Sequence, residues 1–394
     1  MQCNKNVTIM DSPFVFNKHV TGKYNIGRRA EATILANLLG QGENVAIYEP
    51  PKTGMMSLVQ QTFYNMKVAT QRFSVAEFSL INIRTVADLL LKFGSTILKG
   101  AYSTPDEYAK AVAQHMEGTH FVFDPEEFNT KGMVLSLNWD VDKADIEAVF
   151  RLPYLVSREK GQRLFIVLKE FQNVMQTEDG DAICAALHGI FENMDAELRR
   201  RCSYIFVGSR VNAMKDIFEV RKLFYRRVEH LKISTIDTKD IVDHISRGFL
   251  SSGKVIDRDL ALGMCKMFNG NIWYINHFAS ICDSLSKGYM TEPVLREALD
   301  TIISIHEPRF LDIVSDLTTF QLCLLRAILD GHTKFSSAEV IRRYNLNSSA
   351  NVRRLKDALC KKEIVTFEAE DRPVILDPLF EYWVRTSFFG MEEQ

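Results

Sequence analysis

The sequence has few of the residue patterns that bind metals. Its seven cysteines are dispersed, with no close pair at metal-site spacing (Cys3, Cys184, Cys202, Cys265, Cys282, Cys323, Cys360). Its nine histidines form no HxxxH or HExxH pair, so we expect no metal site. An odd, scattered set of cysteines is typical of buried free thiols in a reducing compartment.

Long apolar runs and a strong net charge are also absent. Stretches such as "LFIVL" are far too short to cross a bilayer, and the N-terminus is polar without a signal-peptide core. The formal net charge is −2, so any binding to nucleic acid must be local. A chain of 394 residues that is 46% hydrophobic predicts two or three domains. We therefore expect a cytoplasmic, multidomain protein with no membrane partner.

Apolar strands alternate with helical segments in the first part of the chain. Helices are predicted at 27–41, at 57–68 and over most of 83–160. Strands are predicted at 45–48, 72–81, 163–172, 202–210 and 226–234. This alternation is typical of an α/β fold with a parallel sheet and helices on both faces. Ligands bind such folds at the carboxyl ends of the strands.

The rest of the chain reads as helices followed by a hairpin. Residues 235–308 are helical throughout, with a local break at Gly270. From Leu317 three helices precede two short strands around "EDRP", which is the order of a winged helix. The predicted domains are therefore a core at 15–234, a helical lid at 235–310 and a winged helix at 311–394.

The stretch "NVAIYEPPKTGMMSL" (44–58) has the strand–turn–helix context of a phosphate-binding loop, GxxxxGK[ST]. Gly54 is retained. Glu49 replaces the first glycine, Met55 the lysine and Met56 the magnesium-binding hydroxyl, while Ser57 comes one position late. The residues of this loop that could contact phosphate are Lys52, Thr53, Gly54, Met55, Met56 and Ser57.

A companion strand, "LFIVLKEFQ", supplies a candidate catalytic carboxylate. Glu170 follows the strand and would polarise the attacking water. Lys169 stands where an aspartate is expected to hold magnesium, so both metal-holding positions and the loop lysine have changed. We hypothesise that the Lys169 ammonium partly replaces the metal and the lysine. The alternative is that Lys169 pairs with Glu49 or Glu170 and closes an empty site.

Motifs along the chain resemble those of the archaeal-type P-loop ATPases, relatives of the AAA+ and STAND NTPases. The resemblance covers about residues 16–389. Its motifs are "NIGRRAE", "YEPPKTGMMSL", "VLKEFQ", "IFVGSR", "KLFYRRVEHLKI", "NGNIWYI", "LTTFQLCLLRAILDG" and "LDPLFEYWVR". It implies ATP binding and hydrolysis, with Ser209 near the γ-phosphate and Arg226 as the arginine sensor.

The changed residues leave two functions open. One is a nucleotide-responsive switch that binds ATP or ADP weakly, without magnesium, and hydrolyses it slowly or not at all. The other is a pseudo-ATPase scaffold whose winged helix binds DNA or a protein. The oligomeric state is not predicted.

The predicted winged helix carries a local basic cluster. Residues 336–362 contain seven basic residues against two acidic ones, although the C-terminal part is otherwise acidic. A recognition helix is predicted at 348–361, and such clusters suit the phosphates of DNA. The candidate nucleic-acid contacts are Arg342, Arg343, Asn351, Arg353, Arg354 and Lys356. A solvated helix face, or docking on the core, is the alternative.

Overall fold

The computed structural model describes residues 12–392, which form two compact units. One unit comprises Arg29–Pro51 and Leu58–Ile233. The other comprises the described residues up to Arg28, the segment Lys52–Ser57 and the described residues from Ser234 onward. Of the cysteines, Cys3 lies outside the described residues, and the other six carry free thiols. No helix within 12–392 is long and apolar enough to cross a membrane.

Nine strands occur in the described chain. In order they are β1 (Asn44–Tyr48), β2 (Phe73–Ser79), β3 (Phe121–Val122), β4 (Ser136–Leu137), β5 (Arg163–Lys169), β6 (Cys202–Gly208), β7 (Val228–His230), β8 (Val365–Phe367) and β9 (Pro373–Ile375). The predicted strands of the first part of the chain are all present, with bounds shifted by a few residues.

Helices make up most of the remaining structure. They are α1 (Arg29–Gln41), α2 (Met55–Val68), α3 (Val86–Ala101), α4 (Pro105–His115), α5 (Pro125–Lys131), α6 (Lys143–Lys160), α7 (Gly180–Asn193), α8 (Ala196–Arg199), α9 (Val211–Lys215), α10 (Thr238–Ser251), α11 (Arg258–Met267), α12 (Ile272–Leu285), α13 (Glu292–Ser315), α14 (Thr319–Leu329), α15 (Ala338–Arg343), α16 (Ser349–Lys361) and α17 (Pro378–Trp383).

A five-stranded parallel sheet forms the centre of the first unit, in the order β2-β5-β6-β1-β7. Every residue of β1 and β6 is buried. Because successive side chains of a strand point to opposite faces, both faces of the central sheet are covered. This confirms the predicted α/β class. Tyr48 pairs with Gly208 and Lys169 with Val207, so β1, β5 and β6 end at one edge.

One continuous hydrophobic core runs through the second unit. It begins at Phe14, includes buried residues of α10–α14, α16 and α17, and extends to Val384. The C-terminal part has the predicted order of helices followed by the antiparallel β8–β9 pair. Thr318 caps α14 and Ser348 caps α16 through side-chain hydrogen bonds to backbone N–H groups. The helical segment and the winged helix thus share apolar packing.

Some local predictions need correction. Helix α2 begins at Met55, two residues before the predicted start, because the helical conformation follows directly after Gly54. The predicted strand at 226–234 is only Val228–His230, and Arg226 precedes it with φ +58°. The β3–β4 pair interrupts the predicted helical region, since two-residue strands leave no periodic pattern in a sequence.

Candidate functional site

The loop between β1 and α2 has an unusual backbone. Gly54 has φ +88°, and an added Cβ atom would meet nothing within 4 Å. Conformation rather than lack of space therefore favours glycine here. Lys52 also has a positive φ of 72°. Met55 is buried at 7% exposure, whereas Met56 and Ser57 are half-buried.

Side chains near the loop hold it in place within the second unit. The Ser57 hydroxyl accepts a hydrogen bond from the backbone N–H of Val20 at 3.1 Å. The Arg28 guanidinium donates to the carbonyl oxygen of Thr53 at 3.5 Å and to that of Ser234. Arg28 of the motif "NIGRRAE" therefore fixes the loop backbone.

Lys52 lies in an aromatic and charged cluster of the second unit. Its ammonium donates to the Tyr274 hydroxyl at 3.2 Å and lies 4.0 Å from the centre of the Trp273 ring. The Tyr274 hydroxyl donates to Asp377 Oδ2 at 2.9 Å, and Arg309 donates to the same oxygen at 2.5 Å. Asp377 also caps α17 through its other oxygen. A polar chain therefore connects the loop lysine to the start of α17.

Burial and charge perturb the groups of this cluster. Burial lowers the pKa of Lys52 to about 8, with the Arg309 guanidinium acting in the same direction and Asp377 opposing. The faces of the Trp273 and Tyr274 rings favour the ammonium form. Burial, followed by the charge of Lys52, lowers the pKa of His306 to about 4. Burial therefore places the pKa of Lys52 below that of an exposed lysine.

The sequence singled out Lys52 but missed Arg309 and Asp377. Tyr274 also stacks on Phe268. Asp377 precedes a proline in "LDPLF", a typical signal for the start of a helix, but that signal does not reveal a distant partner. Sequence separations of 222 residues for Lys52–Tyr274 and 103 for Tyr274–Asp377 explain the omission.

Glu170 and Ser209 come together at the carboxyl edge of the sheet. Glu170 Oε2 accepts hydrogen bonds from the Ser209 hydroxyl at 2.6 Å and from Gln172 Nε2 at 2.7 Å. Glu170 has φ +54°, a conformation that costs roughly 1–2 kcal/mol in a residue with a Cβ. A Cβ at Gly208, next to Ser209, would lie 2.4 Å from Met214 Cγ and 2.6 Å from Gln172 Oε1, so both side chains would have to shift. The carboxylate is thus fixed by hydroxyl and amide donors.

Lys169 and Glu49 each have a partner within the first unit. The Lys169 ammonium pairs with Glu77 of β2 at 3.2 Å, and both side chains are about one-third exposed (34% and 35%). The sequence did not indicate this partner. Glu49 accepts a hydrogen bond from the backbone N–H of Ile233 at 3.4 Å. The role proposed for Lys169 in phosphate binding stays a prediction.

Arg226 lies in the turn before β7 and is exposed. Its guanidinium lies 5.0 Å from the centre of the Tyr225 ring, while the neighbouring Arg227 pairs with Glu192 at 3.3 Å. The structure therefore presents Arg226 to solvent, and its function as a sensor stays a prediction.

The six candidate nucleic-acid contacts fall into two groups. Four arginines are exposed on α15 and α16 (Arg342, Arg343, Arg353, Arg354). The other two are engaged internally. Asn351 donates to the carbonyl oxygen of Leu346 at 3.0 Å, and Lys356 pairs with Asp371 and lies 4.1 Å from the centre of the Phe367 ring.

A His–Asp cluster of the first unit is explained by helix capping. His120, Asp142 and Asp145 have candidate ligand atoms within 4.8 Å of one another. Asp142 and Asp145 form the capping box of α6, and Asp145 accepts from His120 Nδ1 at 2.9 Å. Hydrogen bonding therefore accounts for the buried carboxylate of Asp145 without a metal.

Comparisons with known proteins agree with this architecture. Residues 308–386 match a family model described as a probable winged helix domain. No curated protein matches the chain.

Solved structures resemble nearly the whole chain. The chain is similar to a Walker-type ATPase of Pyrococcus abyssi, with a TM-score of 0.67 and 15% identity over 95% of this chain and 99% of that chain. It is also similar to the ORC2 protein of Aeropyrum pernix in its ADPNP–ADP complexes, with a TM-score of 0.57 and 14% identity over 92% and 93%. These likenesses show the fold: a parallel sheet covered by helices, as in those two proteins, followed by a helical region and a C-terminal winged helix.

Proposed function

We propose that this protein is a nucleotide-responsive switch that binds ATP or ADP weakly and hydrolyses it slowly or not at all. The observation that carries the proposal is the loop after β1. Its backbone keeps the turn, the positive φ of Gly54 and the helix that begins at Met55, while the side chains for lysine and magnesium chemistry are replaced. The loop backbone would therefore still bind phosphate, while the side chains needed for hydrolysis are replaced.

Phosphate would be held mainly by backbone and Lys52. The N-terminus of a helix carries about half a positive charge and presents free N–H groups. The residues present do not fit magnesium, because Met56 stands at the hydroxyl position and Lys169 at the aspartate position. We therefore expect binding that does not require magnesium. The ADPNP and ADP named for the Aeropyrum pernix ORC2 structure agree with nucleotide as the ligand.

The cluster around Lys52 could transmit nucleotide binding at the loop to the winged helix. Phosphate at the loop would compete with the Tyr274 hydroxyl for the Lys52 ammonium. Because that hydroxyl also donates to Asp377, the change would reach the cap of α17 in the winged helix. We therefore expect nucleotide binding to change the conformation of the winged helix.

We also propose that the winged helix binds DNA. The support is the set of four exposed arginines on α15 and α16, none of which has an ion pair within residues 12–392. Guanidinium groups can form bidentate hydrogen bonds with phosphate oxygens. A solvated helix surface without DNA affinity is the competing interpretation.

A second function is favoured by one observation. Lys52 and Lys169 both have partners from the chain itself, namely Tyr274 and Glu77. A protein whose basic groups are already engaged could use the P-loop fold as a scaffold and bind no nucleotide, leaving the winged helix to bind DNA or a protein.

Nucleotide titration decides between the two functions. We expect calorimetry and thermal melting to detect ATP and ADP at high micromolar to millimolar concentration, with equal affinity whether magnesium is present or chelated. No shift at millimolar nucleotide would establish the scaffold instead. ATP turnover, measured as phosphate release, is expected to be undetectable.

The same titration tests Lys169. We expect Lys169→Ala to weaken nucleotide binding, whereas Lys92→Ala, which removes an exposed lysine paired with Asp88 on α3, does not. Binding that requires magnesium and survives Lys169→Ala would contradict the proposed part of Lys169.

A further inference from the structure

A basic concavity lies at the amino edge of the parallel sheet, where β2, β5 and β6 begin. It has a volume of about 760 Å³ and is lined by five basic residues and one acidic residue (Arg72, Lys160, Arg163, Arg200, Arg201, Glu197). The chain as a whole has 48 basic and 50 acidic residues, so this local excess is not a reflection of composition. All six residues belong to the first unit.

The sheet register places Arg163 level with Arg201, and Arg72 lies one residue before the level of Arg163 on the neighbouring chain segment. Arg163 pairs with Phe73, which directly follows Arg72, and Leu164 pairs with Cys202, which directly follows Arg201. Adjacent strands lie about 4.8 Å apart, so the three backbones form a row roughly 10 Å long. Arg200 and Lys160 extend the row from the ends of α8 and α6.

Part of this charge has no ion-pair partner among the described residues. Arg201 pairs with Glu197 at 3.0 Å, and Lys160 lies 3.7 Å from Glu159 and 3.8 Å from the centre of the Tyr102 ring. Arg163 donates to the carbonyl oxygen of Gly40 at 3.3 Å. Arg72 and Arg200 are exposed and make no ion pair with any residue of 12–392. Several positive charges thus face solvent in one concave surface.

We propose that this concavity binds the phosphate backbone of duplex DNA. Four of the five basic residues are arginines, whose planar guanidinium groups match phosphate oxygens. The lining has no aromatic residue on which a base could stack, so recognition would use charge rather than base identity. A row of arginines about 10 Å long suits a chain of phosphates better than one isolated phosphate. This site is separate in sequence from the arginines of the winged helix.

The test uses the full-length protein and a fluorescently labelled 20-base-pair duplex. We expect Arg72→Ala combined with Arg200→Ala to lower affinity on the order of 10-fold at 50 mM salt and to flatten the dependence of log K on log[salt] by about 2. The matched control is Arg158→Ala combined with Arg296→Ala, which removes two exposed arginines outside the concavity and should leave both values unchanged. Thermal melting confirms that all variants fold.

A second arm separates this site from the winged helix. The Arg72/Arg200 pair is also replaced in a chain carrying Arg353→Glu and Arg354→Glu. If adding the Arg72/Arg200 replacements lowers the DNA affinity that remains in this chain, the result supports DNA binding at the concavity, even if the winged helix proves inactive. Unchanged affinity and salt dependence in both backgrounds would overturn the proposal. Micromolar tripolyphosphate binding that is lost in the Arg72/Arg200 variant, with DNA binding unaffected, would assign a small phosphate ligand and likewise overturn it.

Discussion

The loop between β1 and α2 and the winged helix differ in how their backbone geometry and their side chains agree with the predicted motifs. The loop between β1 and α2 has Gly54 at φ +88° and a helix beginning at Met55, but methionines stand where the GxxxxGK[ST] pattern has its lysine and its hydroxyl. The winged helix retains both a helical frame and exposed arginines on α15 and α16. The loop thus has the backbone of the pattern without its lysine and hydroxyl, whereas the winged helix has exposed basic side chains on a helical frame.

This difference shows that the backbone of the loop does not depend on the lysine and the hydroxyl of the GxxxxGK[ST] pattern. The loop backbone is maintained by buried strand residues, the Arg28 contact to Thr53 and the glycine conformation. None of these interactions needs a lysine at 55 or a hydroxyl at 56. The sequence can therefore carry methionine at both positions while the strand, turn and helix are formed.

The winged helix gives the largest expected effect. Replacing Arg353 and Arg354 by Glu should lower affinity for duplex DNA on the order of 100-fold at 50 mM salt, because each lost phosphate contact removes about one unit of salt slope. Fluorescence anisotropy over a salt series measures both quantities. The control for net charge is Arg258→Glu combined with Arg296→Glu, which replaces two exposed arginines on α11 and α13 and changes the net charge by the same amount. An equal fall in the control would remove the reason for assigning DNA binding to α16.

The loop gives a smaller effect of opposite sign. Met55→Lys should strengthen ATP binding about 10-fold, because it returns a positive charge to the helix N-terminus, worth roughly 1.4 kcal/mol. Met55 is 7% exposed, so the new lysine must extend its ammonium toward solvent along an apolar stem. Calorimetry with Met56→Lys as the control measures the difference.

Equal gains at both positions would mean that charge alone, rather than the lysine position of a phosphate loop, controls affinity. Phosphate release should stay undetectable in both variants, since neither supplies the aspartate that would hold magnesium. Turnover by Met55→Lys would show that the site lost only its lysine.

The sequence predicted the fold well because the fold depends on local patterns. Continuous apolar runs such as "LFIVL" form strands that are buried on both faces. The alternation of these strands with helices predicted a parallel sheet, in which the carboxyl ends of the strands lie at one edge. Glu170 and Ser209 follow β5 and β6, so their meeting follows from strand pairing. The apolar pattern of the strands and their pairing were sufficient to predict that Glu170 and Ser209 lie close together.

The partners of the two lysines could not be predicted in the same way. Lys169 could reach Glu49, Glu77 or Glu170 from its strand end, and the sequence gives no rotamer to choose among them. The structure selects Glu77, which lies on the neighbouring strand β2. Lys52 contacts Tyr274, 222 residues away, through packing of the second unit that no local pattern specifies.

The smallest expected effect concerns pH. Burial lowers the pKa of Lys52 to about 8, so the side chain is mostly charged at pH 7 and mostly neutral at pH 9. If its ammonium binds phosphate, nucleotide affinity should fall about 3-fold over this range, because the neutral side chain binds phosphate more weakly while the backbone contacts to phosphate remain. Calorimetry at pH 7, 8 and 9 measures the change. Lys52→Arg is the control, since guanidinium stays charged throughout and should abolish the dependence. A pH dependence that persists in Lys52→Arg would assign the titration to another group and leave Lys52 as a structural contact of Trp273 and Tyr274.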